Sequence, residues 1–175
     1  MIEHRLIERM VELLKKERDA VVKGKKPDNG LILAAADFFR TYADRTHHGK
    51  EEDILFRELS KKTLSDEHKR IMGELREEHI LARKNVRGLS EAIGRYAGGD
   101  EGAGTDILSY LDALTELYPA HIEKEDRHFF IPVMGYFTAE EQDKMLKEFY
   151  EFDRNMIHEK YRKVVEDYSS LVRPV

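Results

Sequence analysis

The residues of this chain best spaced for chemistry are histidines and glutamates. The frame H-x-x-x-E-D-x-x-F occurs twice, as HGKEEDILF (48–56) and HIEKEDRHF (121–129). A glutamate–histidine pair precedes each copy: His4, after Glu3, lies 44 residues before His48, and His79, after Glu78, lies 42 residues before His121. On a helix, residues four apart share a face, so each frame can deliver one imidazole and one carboxylate to the same place. A carboxylate can bridge two cations with its two oxygens. Glu52 and Glu125 as bridges, with His4, His48, His79 and His121 as terminal ligands, make a nitrogen- and oxygen-ligated metal pair. Such a donor set suits iron or manganese better than calcium or a structural zinc.

The elements that must position these residues read as helices. Helix formers dominate and apolar positions recur at three- and four-residue steps. The pattern predicts helices at about 2–23, 29–62, 66–97, 105–131 and 138–170. GKKPDN (24–29) and GGDEGAG (98–104) break the chain, Asp66 is placed to cap the third helix, and Thr138 with Glu141 forms a capping box for the fifth. Short connections between long amphipathic helices give antiparallel neighbours. The expected fold is therefore all-α: an up-down-up-down four-helix bundle over residues 1–131, with an additional C-terminal helix packed outside it (132–175 as an extension of the same domain). That last helix is expected to turn Leu146, Tyr150, Ile157, Tyr161, Val164 and Tyr168 toward the bundle.

Folding each hairpin brings the histidines to one depth. His4 and His48 each lie about 19 residues from their connecting turn, or about 28 Å along the helix; His79 and His121 match each other similarly. At about 100° per residue, His48 and Glu52 fall within about 40° of Ala34, Leu55 and Leu59. His79 lies on the stripe of Met72, Leu75 and Val86. His121 and Glu125 share that of Ile107, Leu114, Leu117 and Tyr118, and His4 that of Ile7, Val11 and Leu14. An unpaired carboxylate on such a face costs several kcal/mol or is driven to protonate.

The remaining polar residues sort by the same projection. His47 and Glu51 fall off the apolar centre and read as solvated. Asp126 points away from the core, His68 lies too far along the axis, and His128 reads as a structural core residue. His158 reads as a hydrogen-bonding surface residue. Arg83, one turn after His79, can offset carboxylate charge, and Pro119 frees the carbonyl of Thr115 just before His121.

Composition excludes several other functions. Zero cysteines rule out thiolate zinc sites, iron–sulfur clusters and thiol catalysis. The net charge is −5, and Lys and Arg are interleaved with Asp and Glu, which describes solvated helix faces and not a nucleic-acid stripe. The longest apolar stretch, residues 31–36, is too short for a membrane span, and Glu3, His4 and Arg5 stand where a signal peptide needs an apolar run. A cytoplasmic protein is expected.

EHRLIERM with His4, HHGKEEDILF with His48 and Glu52, EEHILAR with His79, and HIEKEDRHFF with His121 and Glu125 together resemble the hemerythrin-like, or HHE cation-binding, family over about residues 2–131. The resemblance implies a non-haem centre of two iron ions, with manganese or zinc as substitutes, that binds a small diatomic ligand such as oxygen or nitric oxide. It also implies His4, His48, His79 and His121 as terminal ligands with Glu52 and Glu125 as bridges. Respiratory members carry a fifth histidine where this chain has Arg83, and their second bridge follows its histidine by five residues, where this chain has Asp126. The cysteine-bearing segment of the family's iron-centre repair proteins has no counterpart here. Sensing or carrying a diatomic ligand is the first expectation; an enzyme acting on peroxide, nitric oxide or oxygen, or an iron-handling protein, is the alternative.

Overall fold

The computed structural model describes residues 2–169, with side chains through Met156 and at Lys160. The described residues form five helical rods and no strand. α1 spans Ile2–Val22. α2 starts as Asn29–Phe38, continues through the π-helical segments Phe39–His48 and Glu51–Phe56, and ends at Arg57–Leu59. α3 is Asp66–Ala97. α4 runs Ala103–Lys124, passes through a third π-helical segment, Glu125–Phe129, and ends at Phe130–Met134. α5 is Ala139–Ser169. None is long and apolar enough to cross a membrane.

The helix ends follow local chemistry. Asp28 accepts from the Leu31 amide to open α2. Ser65, not Asp66, caps α3: its hydroxyl accepts from the His68 amide, while Asp66 and Glu67 complement the positive end of the helix dipole. Thr138 and Glu141 exchange side-chain-to-amide bonds at the start of α5, the expected capping box. Pro119 is accommodated inside α4.

α1 packs on α4, α4 on α3, α3 on α2 and α2 on α1, which closes the up-down-up-down bundle. Two apolar clusters fill it. One joins Ile7, Val11 and Leu14 of α1 to Ile32, Phe39, Leu89, Ile93, Ile107 and Leu114. The other gathers Leu55, Phe56, Leu59, Leu75, Phe129 and Val133 near the far ends of α2 and α4. The histidines and glutamates form a polar layer between them.

α5 lies along α2, held by Lys50–Asp153 (2.8 Å), Arg57–Glu148 (2.5 Å) and Lys62–Glu141 (2.6 Å). Gly49 permits this approach, because a Cβ there would come within 2.8 Å of the Phe152 ring. The face turned inward differs from the expected one. Met145, Phe149 and Phe152 pack on the second cluster, and Leu146 and Tyr150 are exposed. α5 carries two apolar stripes, and only this one sets Glu141, Glu148 and Asp153 against Lys62, Arg57 and Lys50. The expected contacts of Ile157, His158, Tyr161, Val164 and Tyr168 lie outside the described residues.

Candidate metal centre

Two of the four bundle helices change pitch where they reach the polar layer, and both do so through π-helical turns. Each π turn closes i→i+5 and holds roughly one residue more than an α turn, so it rotates every later side chain relative to an α-helical projection. Phe39–His48 and Glu51–Phe56 do this on α2, and Glu125–Phe129 on α4. His47 and Glu51, expected to be solvated, are therefore buried, at 2% and 4% exposure. Glu52, expected to face the core with His48, points out of the layer with its side chain 30% exposed. The same rotation exposes His128, expected inside, and buries Phe129 instead.

Seven buried side chains converge. His48, Glu51, His79 and His121 form one group, and His4, His47 and Glu125 the other; within each group, ligand-capable atoms lie within 4.8 Å of one another. The two carboxylates join the groups. Glu51 sets one oxygen 3.3 Å from His79 Nε2 and the other 3.8 Å from His47 Nε2. Glu125 sets one oxygen 3.2 Å from His121 Nε2 and the other 3.1 Å from His4 Nε2. Each carboxylate thus offers one oxygen to each group.

Four of the five imidazoles are oriented from behind by a carboxylate on Nδ1. Asp126 accepts from His4 (2.9 Å), Glu3 from His47 (3.0 Å), Glu52 from His79 (2.6 Å) and Glu78 from His121 (2.8 Å). A carboxylate only accepts, so each Nδ1 holds a proton and each neutral ring turns a bare Nε2 lone pair into the layer. This carboxylate–histidine arrangement fixes ring orientation and raises basicity at metal sites. Lysines back two of the carboxylates: Lys50 pairs with Glu3 at 2.5 Å, and Lys124 with Glu78. Arg83, on the site side of α3, bonds Glu52 (2.8 Å) and Asp44 (2.6 Å) and so offsets carboxylate charge from outside the layer. His68 is engaged elsewhere, with the Tyr136 hydroxyl at 2.8 Å.

The arrangement repeats across the bundle. His47-x-x-Lys50-Glu51-Glu52 corresponds to His121-x-x-Lys124-Glu125-Asp126, and Glu3-His4 to Glu78-His79. This register, one residue from the H-x-x-x-E-D-x-x-F frame, was legible in the sequence. It places His47 43 residues after His4 and His121 42 after His79, a closer match than His48 gives, and it aligns the two lysines. His48 has no counterpart, because Ile122 occupies the equivalent place. His48 stacks on His79, with ring centroids 3.9 Å apart.

The donor atoms fit a cation. Both oxygens of Glu51 and of Glu125, both nitrogens of His48, and Nε2 of His79 and His121 are buried without a hydrogen-bond partner. Leaving so many polar atoms unpaired in a core costs far more than a single-domain protein can spare, whereas metal ions satisfy all of them together. Without metal, protons take their place. Burial opposes charge on His47, but Glu51, Glu125 and Glu3 outweigh it and hold its pKa up to about 10. His121 is raised to about 9, as Glu125, Glu78 and Glu51 overcome burial. Burial and the neighbouring histidines keep His48 neutral, its pKa well below the usual value. Burial lifts Glu51, helped by the charge of Glu125, which stays ionised because His121, His4 and His47 outweigh its own burial.

A family model for the hemerythrin HHE cation-binding domain matches residues 1–131. No curated protein and no solved structure matches the chain.

Proposed function

We propose, for a chain that belongs to the hemerythrin HHE cation-binding family, that the polar layer holds two iron ions and that the more open of the two positions takes a small diatomic ligand such as oxygen or nitric oxide. One observation carries this reading: Glu51 and Glu125 each present one oxygen to each of two groups of imidazole nitrogens. A single-ion site has no use for two carboxylates so divided.

The residues have distinct tasks. His48, His79 and His121 would hold one ion and His4 and His47 the other, with Glu51 and Glu125 offering an oxygen to each. Five nitrogens and carboxylate oxygens make a donor set that imidazole-loving first-row ions share, so manganese or zinc can substitute. The iron pair, when bound, supplies the electrons and the open coordination position that a diatomic ligand needs. Glu3, Glu52, Glu78 and Asp126 hold the imidazoles in one tautomer. Phe56 and Phe130, which lie against His79 and His4 at centroid distances of 6.0 and 5.7 Å, help exclude water.

The two positions differ, because His48 gives its ion one imidazole more than the symmetry-related position receives. The position that His4 and His47 would hold is the one that would leave room for a ligand. A cytoplasmic setting belongs to the same proposal; a chain without cysteine suits a reducing compartment. The test is metal analysis of protein from iron-supplied cells, with absorption spectra before and after exposure to oxygen. About two irons per chain and an oxygen-dependent band are expected; a reproducible value of one or zero ends the two-ion reading.

A further inference from the structure

A cavity of about 500 Å³ opens between the end of α4 and the first turns of α5 and reaches the His47 side of the polar layer. Its walls are Leu55, Phe130, Met134, Met145, Leu146 and Phe149, and its inner end is formed by His47 and Glu51. Ile131 and Leu146 stand at the cavity 79% and 48% exposed.

Size and lining together indicate the occupant. A diatomic molecule needs about the space of one water, roughly 30 Å³. The cavity exceeds that more than tenfold and falls in the range of about 300–1,000 Å³ typical of pockets for organic ligands. Its one cation is already paired, since Lys50 bonds Glu3 and Asp153 and Glu3 also accepts from His47, and the other charged groups of the lining, Asp143 and Glu51, are carboxylates. The Gln142 amide nitrogen donates to the carbonyls of Met134 and Phe137. Among the described residues, an anionic ligand would find no spare cation there.

We propose that this cavity binds a small, neutral, largely apolar organic molecule, with its apolar body between Phe130, Met134, Leu146 and Phe149. Binding there covers the more open half of the centre. The cavity's occupancy stands on its own geometry; only the consequence for the open ion position rests on the proposed function. Met134 and Met145 suit such a ligand because flexible thioethers adapt to varied apolar shapes.

The test uses the full chain, metal-free and loaded with redox-silent zinc, titrated with the neutral fluorescent probe N-phenyl-1-naphthylamine. Saturable binding of about one probe per chain is expected in both forms, with displacement by 1-decanol. Leu146→Trp and Met134→Trp, which fill the cavity, should each weaken binding at least about tenfold; Leu33→Trp, at a half-exposed position elsewhere on α2, should not. Circular dichroism and melting check that each variant is folded, and Leu146→Trp decides the matter if Met134→Trp is not. Absence of saturable binding to the wild type, or unchanged binding to folded Leu146→Trp, overturns the proposal. Tighter binding of the anionic analogue 1-anilinonaphthalene-8-sulfonate overturns the assignment of a neutral ligand. Metal content is measured separately: two ions without probe binding removes only this inference, and probe binding without two ions removes only the proposed function.

Discussion

His4 Nε2 and His47 Nε2 stand 3.0 Å apart, although neither ring has a spare proton to place between them in its neutral form. Asp126 and Glu3 hold the protons of the two Nδ1 atoms, which leaves two lone pairs facing each other. Such a contact is repulsive unless a proton or a cation lies between. Imidazole nitrogen binds a first-row ion such as zinc at about 2.1 Å, so two of them at right angles on one ion lie about 3.0 Å apart. The spacing is that of two neighbouring ligands. In the metal-free chain a proton fills the gap, on the His47 ring that Glu51, Glu125 and Glu3 hold charged against its burial.

Metal binding should therefore release protons. At pH 7.5 the metal-free chain holds His47 and His121 charged, since their pKa values are raised to about 10 and about 9. Loading should expel about two protons per chain, read as the dependence of calorimetric heat on buffer ionisation enthalpy. No dependence on the buffer would count against these imidazoles as ligands.

The same groups set opposite pH trends for the two forms. Folding raises the pKa of both histidines above the unfolded value near 6.5, so their contribution to metal-free stability is complete below pH 6.5 and is lost as pH rises through about 9 to 10. Glu3 is lowered to about 2, as His47 and Lys50 outweigh its burial; its contribution is present above about pH 4.5 and lost as pH falls through 2. The melting temperature of the metal-free chain should be highest near pH 5–6.5 and fall toward pH 10. Metal affinity should rise over the same interval, because protons compete for the nitrogens.

Glu51→Ala and Glu52→Ala separate the two adjacent carboxylates. Glu51→Ala removes a group joining both halves and should leave about one metal per chain or none. Glu52→Ala should keep two but weaken the His79 half by about 10- to 100-fold, the usual effect of losing a ligand's hydrogen-bond partner. Metal content after dialysis against a graded chelator distinguishes them; the reverse pattern would show that Glu52 turns inward in solution.

His48→Ala tests the inequality of the two positions. In the wild type, a chelator titration should remove metal in two steps, the His4–His47–Glu125 half first. Loss of His48 should bring the two affinities together, merging the steps, with the tighter site weakened by at least about tenfold. Two steps of unchanged midpoint would place His48 outside the coordination sphere.

Removing metal should lower the melting temperature substantially. An ion present at 100 times its Kd stabilises the folded state by about 2.7 kcal/mol. For a chain of this size, about 1 kcal/mol shifts melting by roughly 2–4 °C, so two such ions correspond to roughly 10–20 °C. Equal melting of verified metal-free and loaded samples would mean that the ions sit at the periphery.

The amino-acid sequence by itself determined the helical rods, their breaks and the polar layer. Apolar residues at three- and four-residue steps have only one way to be buried together, and capping groups such as Thr138 and Glu141 act within a single turn. His4, His79, His121 and Glu125 were placed in the layer for the same reason: each sits on, or just beyond, an uninterrupted α-helical stretch where projection at 100° per residue holds. That His47 joins His48 in the layer, and that Glu51 enters it where Glu52 does not, belonged to the tertiary structure. Adjacent residues of like chemistry differ only in direction, and direction along α2 depends on how many π turns precede them. Those turns have no composition of their own. They form where Phe39, Phe56 and Phe129 are buried in the two apolar clusters and the side chains between must reach across the bundle axis. Asp44, Glu52 and Arg83 then close over the outside of the rotated helix, a pairing of α2 with α3 that packing alone creates.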